Sequence, residues 1–170
     1  RTQFLAATAS LELARPLDAA ARAIRLVLPL EKSLPAKRNA LEAALGAYGR
    51  AEEYGVAQVT TASAFAMADL YRDLGQSLLE SDRPQNLDAE ELEQYDVLLE
   101  EQAFPFEEKA IGIHERNARL AAQGVYDEWV QKSYAELAQL KPGRYARTEV
   151  ADAPVAPVAG PALPPEADPA

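Results

Sequence analysis

The stretch from Pro105 to Pro142 constrains the fold of this chain most, because it reads as two amphipathic helices joined by one tight turn. In the first half Phe106, Ala110, Ile113, Asn117 and Leu120 recur at steps of three and four, which puts them on one face of an α-helix. Tyr126, Trp129, Val130, Ser133, Leu137 and Leu140 do the same in the second half. Gly124 between them supplies the left-handed backbone that ends a helix at low cost, and Asp127 sets a carboxylate near the positive end of the next one. The expected product is a helical hairpin closing at Pro142 and Gly143.

Helical spacing extends upstream. Residues 2–16 place Phe4, Leu5, Thr8, Leu11 and Leu13 on a broad apolar side, and Pro16 predicts the end of that first helix. A second helix is expected from Leu17 to about Lys32, with Ala20, Ala23, Ile24, Val27 and Leu30 inward, Arg22 and Arg25 in solvent, and Pro29 kinking or ending it. Ser33 and Pro35 suit the start of a third, which runs to Tyr54 and carries Leu41, Ala44, Leu45, Tyr48 and Ala51. After Gly55, Thr60 or Thr61 is expected to cap a fourth helix reaching about Ser81. It is apolar over much of its circumference and belongs at the centre of the assembly. Asp88 and Glu91 read as the capping box of a fifth helix ending at Ala103, and Pro105 opens the sixth. Seven helices result, pairing second with third, fourth with fifth, and sixth with seventh. From residue 147 the chain is rich in Ala and Pro without apolar periodicity, so residues 147–170 are expected to form an extended or disordered tail.

The totals exclude several kinds of function. With 170 residues, no cysteine and one histidine, the chain has no disulfide framework, no thiolate chemistry and no zinc site built from several His or Cys. A formal net charge of −10 opposes a nucleic-acid backbone, and no local basic patch offsets it. The longest apolar run, Ala23 to Leu30, is broken by Arg25 and Pro29 and is too short to span a bilayer, so no membrane insertion is expected. Because the pattern is already helical at Arg1, without an initiating methionine or signal peptide, the chain reads as part of something longer.

The residues Asn117, Gly124, Tyr126, Asp127, Leu137, Leu140 and Pro142 resemble a tetratricopeptide repeat, although Trp129 stands where that repeat usually has alanine. Leu11 to Pro16 resembles the close of another such repeat, and the Ala44, Tyr48, Ala51 spacing resembles its B helix. The resemblance implies an all-α, right-handed superhelical stack of antiparallel helix pairs, an α-solenoid in which each pair leaves an apolar side for the next to cover. Residues 1–16 would then be the last helix of an upstream repeat, 17–146 three helix pairs, and 147–170 the tail. The strings SLPAKRNALEAALGAYGRAEEYG, ADLYRDLGQSLLESDRP, LEQYDVLLEEQAFPFEEKAIGIHE and GVYDEWVQKSYAELAQLKPGRY are further similar to the C-terminal repeat region of bacterial cell-envelope tetratricopeptide proteins, some found with gliding-motility or ExbB/TolQ-type energy-transducing components. That similarity implies a bacterial periplasmic or envelope location, with the cytoplasm as the alternative.

In such stacks the A helices line a concave groove that takes an extended peptide or a helix. Carried over residue by residue, the resemblance places Phe65, Asp69 and Arg72 of the fourth helix in that groove. His114, Ala118 and Ala121 of the sixth join them, with Arg25 as a further candidate. The bland alternative is a groove filled by another helix or by the tail. Catalytic patterns are weak beside it. His114-Glu115 begins a zincin motif whose second histidine would fall at Ala118, and Ile111 stands where a diiron site needs glutamate. Trp129 and Asn117 read as core residues, the latter bonded to a neighbouring helix. The expectation is a non-enzymatic scaffold without a cofactor, binding a protein or peptide. The alternatives are a helical-bundle enzyme or divalent-metal carrier using Glu100, Glu101, Glu107 and Glu108, or a plain structural spacer.

Overall fold

The structure, a computed structural model, describes residues 1–146 and is all-helical. Helices α1 (Thr2–Ala23), α2 (Leu30–Glu52), α3 (Ala57–Leu79), α4 (Ala89–Arg119) and α5 (Glu128–Leu140) are followed by a single turn, α6 (Pro142–Tyr145). A 3-10 turn, Leu120–Gln123, ends α4, and no strand occurs among the described residues. The expected tail, 147–170, lies outside them.

Two expected boundaries are absent. Pro16 lies inside α1 and Pro105 inside α4, so the first and second expected helices are one, as are the fifth and sixth. A proline in a helix deprives the carbonyl four residues earlier of its donor. Both prolines are exposed, so water can take that role, while the buried seam runs on in phase beneath them. In α1 the seam is Ala7, Ala14 and Ala21, and in α4 it is Leu99, Ala103, Ala110 and Asn117. The expected inward line of the second helix fails with the boundary. Ala20, Ala23 and Val27 are exposed, and α1 ends before the connection in which Leu26 plugs against Leu78 and Ala103.

The start of α3 also differs. Val56 precedes it with no side-chain cap, and Thr61 is an interior residue whose hydroxyl reaches the Ala57 and Gln58 carbonyls at 3.1 Å. Elsewhere the local chemistry follows the sequence. Gly55 and Gly124 have φ of +65° and +84°, Asp88 and Glu91 form a reciprocal capping box, and Asp127 caps α5.

Helix α3 occupies the centre and packs against α1, α2, α4 and α5. Leu70, Leu74 and Leu78 in it are almost fully buried. Short connections make successive helices antiparallel, as the pairings of Gln3 with Tyr54 in α1–α2 and of Asn117 with Thr61 in α3–α4 show. Helices α1 and α5 lie on two sides of α3, and α2 and α4 flank it elsewhere. One buried cation fastens the first three helices. Lys37 on α2 donates to the Ala21 and Ile24 carbonyls at the end of α1, at 3.3 and 3.1 Å, and meets Asp73 of α3 at 2.9 Å. A cation at those carbonyls is favoured by the helix dipole.

Candidate interaction groove

The residues expected to line a concave groove divide into two sets. Phe65, Asp69 and Arg72 share one face of α3, and each is matched from within the chain. Asp69 binds Arg22 of α1 at 3.0 Å, Arg72 pairs with Glu136 of α5, and the Phe65 ring lies 5.5 Å from the Trp129 ring. Arg22 also meets Asp18, which accepts from the Tyr48 hydroxyl at 2.9 Å. Burial opposes the charge on Arg22, but Asp18 with Asp69 and Asp73 outweighs it, so the guanidinium pKa rises. Tyr48 is raised by burial and by its bond to Asp18.

The α4 residues are a different matter. His114 is 1% exposed and Ala118 is 4% exposed, because α5 covers that part of α4. These two are corrected from groove positions to core positions. Ala121 falls in the half-buried 3-10 turn, and Arg25 is exposed in the α1–α2 connection.

Under α5 the buried polar groups form a knot. Asn117 Nδ2 donates to the Thr61 carbonyl at 3.1 Å and to Ser133 Oγ at 2.9 Å, and Ser133 Oγ lies 3.3 Å from His114 Nδ1. Ser133 Oγ accepts from Asn117, and which of Ser133 Oγ and His114 Nδ1 donates to the other is set by the imidazole tautomer. His114 Nε2, Asn117 Oδ1 and Ser63 Oγ have no protein partner. Burial pulls the His114 pKa down to about 4; Asp69 opposes that shift and Arg72 adds to it. A serine beside a histidine is half of a nucleophilic pair, but Ser133 is fully buried and no carboxylate orients Nε2. The knot joins α3, α4 and α5 through buried polar contacts.

A groove does exist, between α2 and α4 with α3 as its floor, and it encloses about 290 Å³. Tyr71 and Leu74 form the floor, Leu41 and Leu45 one wall, and Phe106 the other. Arg38 and Lys109 stand at its mouth. The Arg38 guanidinium lies 5.8 Å from the Phe106 centroid, and the Lys109 ammonium lies 5.2 Å from that of Tyr71 and 5.8 Å from that of Phe106. Neither cation is in an ion pair among the described residues. Past Phe106 the groove runs on to Leu98, Glu101, Gln102 and Pro105, and Glu42 lines it beside Leu41 and Leu45.

Sequence reasoning placed Phe106 on an apolar line but missed the cations. Arg38 and Lys109 are far apart in the chain, and only the i, i+3 spacing of Phe106 and Lys109 hinted at a shared face. Among the described residues no three of His, Cys, Asp and Glu converge where they could hold a metal ion, and no helix is long and apolar enough to cross a membrane. No protein-family model, curated protein or solved structure matches the chain.

Proposed function

We propose that this chain is a non-enzymatic helical scaffold, a segment of a tetratricopeptide-like α-solenoid, that binds an extended acidic peptide in the groove between α2 and α4. The observation that carries the reading is the pair of cations, Arg38 and Lys109, held over aromatic rings above an apolar floor and in no ion pair among the described residues, although Glu42 also lines the groove. Cations held over aromatic rings and left without an anion are suited to a carboxylate brought by a ligand, while the floor takes apolar side chains. The α1–α3–α5 row, by contrast, has its charges satisfied internally, and a ligand there would have to displace Arg22 or Glu136.

Alternation supports the solenoid reading. α1, α3 and α5 touch in sequence while α2 and α4 pack between and beside them, as A and B helices do in a stacked repeat. Its register differs from that of the sequence reading, because the fused α4 serves as one B helix and α5 as the next A helix. An envelope location rests on the sequence resemblance alone, and fractionation of source cells tests it.

The binding test uses two labelled probe peptides, one repeating Glu-Leu-Pro-Val and one repeating Lys-Leu-Pro-Val, followed by fluorescence anisotropy. The chain is expected to favour the Glu peptide, and Arg38→Glu with Lys109→Glu to reverse that preference while leaving the helical circular dichroism unchanged. Equal binding of both peptides by both proteins would overturn the proposal.

A further inference from the structure

The outer face of α4 presents a second surface, which meets the far end of the groove at Leu98 and Glu101. α4 has 31 residues and α3 has 23, and the two run antiparallel with Gly75 against the Ala103 carbonyl. α3 ends at Leu79, one turn past Gly75, so the first turns of α4 project beyond it. The connecting segment covers only one flank there. Arg83 reaches Asp96 at 2.6 Å, with its guanidinium 6.0 Å from the Tyr95 centroid. The opposite flank is open. Val97, Leu98 and Phe104 are 48%, 55% and 61% exposed, on the side of the helix turned away from Leu99, Ala103 and Ala110. Large apolar side chains grouped on one solvent-facing stripe are uncommon on a free surface and mark contact sites.

The charge around that stripe defines what fits it. From Ala89 to Glu108 the helix carries seven glutamates and Asp96, with no lysine or arginine. Glu90, Glu93 and Glu101 border Val97 and Leu98 directly. A second copy of the same face would set glutamates against glutamates and be repelled. An acidic peptide or an anionic lipid surface is excluded on the same ground. We infer that the Val97, Leu98 and Phe104 face of α4 docks a basic amphipathic helix of another polypeptide, its apolar side chains on this stripe and its lysines or arginines against the flanking glutamates. Val97 and Phe104 stand seven residues apart on one line of α4, with Glu101 between them at i+4 and Leu98 beside Val97, so the stripe offers a helix apolar contacts interleaved with a carboxylate.

The test measures binding of a Leu/Lys amphipathic peptide of about 18 residues to the full chain, with a Leu/Glu peptide of the same pattern as control. The Leu/Lys peptide is expected to bind, more weakly as salt rises, and Val97→Ser with Phe104→Ser to weaken it by about tenfold or more. Those two exposed positions leave the core untouched, and unchanged circular dichroism and melting confirm the fold. Binding that ignores the Val97 and Phe104 changes, or that is equal for both peptides, overturns the inference. So does self-association in light scattering that the same two changes abolish, which would make a second copy the occupant.

Discussion

Among the described residues His114 and Lys37 are buried side chains whose polar groups tie helices together. The folded-state pKa of His114, about 4, is below its ordinary 6.5, so the folded chain holds the imidazole neutral. Between those values the unfolded chain binds a proton at this residue that the folded chain does not. Stability therefore rises with pH across the window from about 4 to 6.5, is fully present above it, and is lost as pH falls through it. The loss attributable to this group is at most about 3 kcal/mol. Urea titrations from pH 4 to 7 should show the slope in the wild type and a flatter profile in His114→Leu. An unchanged slope in the variant would show that other groups carry it. Lys37, 2% exposed, has three acceptors around its ammonium: the Ala21 and Ile24 carbonyls and Asp73. Lys37→Met removes those contacts and leaves two helix-end carbonyls and Asp73 without their cation. The expected loss is about 2–3 kcal/mol in chemical denaturation, with α1 loosened first by hydrogen exchange.

At the scale of the elements, the prolines separate what sequence can show from what it cannot. Pro16→Ala and Pro105→Ala each restore a backbone donor in the middle of a helix and remove the clash with the preceding turn. Each is expected to raise the melting temperature, with a stability gain of about 1 kcal/mol or more. A fall would mean that the proline is matched to a local bend. The turn at Gly124, the capping box at Asp88 and the cap at Asp127 were legible because each depends on a few adjacent residues. The burial line of α2 was legible because Leu41, Ala44, Tyr48 and Ala51 repeat at helical spacing. The fusions were not, since a proline is a local signal and the seam that overrides it is set by packing against α2 and α3. The clue was there in the phase: Ala7, Ala14 and Ala21 keep one register across Pro16. α5 depends on its cap more than the other helices do. Asp127 accepts from the Trp129 and Val130 N–H groups at 3.0 Å and from the Thr61 hydroxyl at 2.5 Å, so the cap also ties α5 to α3. Asp127→Ala should cost about 1–2 kcal/mol and speed hydrogen exchange in α5 selectively. A uniform effect over all helices would deny it that special role.

Across the whole molecule, the central α3 explains why the expected groove closed and another opened. α5 packs over the C-terminal part of α4 and removes His114 and Ala118 from solvent, while on another side α2 and α4 stand apart over Tyr71 and Leu74. Placing the A helices required knowing where one helix pair stops. Reading Pro105 as a boundary made the second half of α4 an A helix, which put His114 and Ala118 on a surface that α5 covers. Phe65, Asp69 and Arg72 do share one face of α3, as spacing within one helix dictates, but that face meets Trp129, Arg22 and Glu136 of the same chain. The most direct measurement is an amide chemical-shift titration of the chain with the Glu-Leu-Pro-Val peptide. Perturbations clustered at Arg38, Leu45, Tyr71 and Lys109 are the predicted result. A cluster at Arg22, Asp69 and Arg72, with the α2–α4 groove silent, would contradict the account.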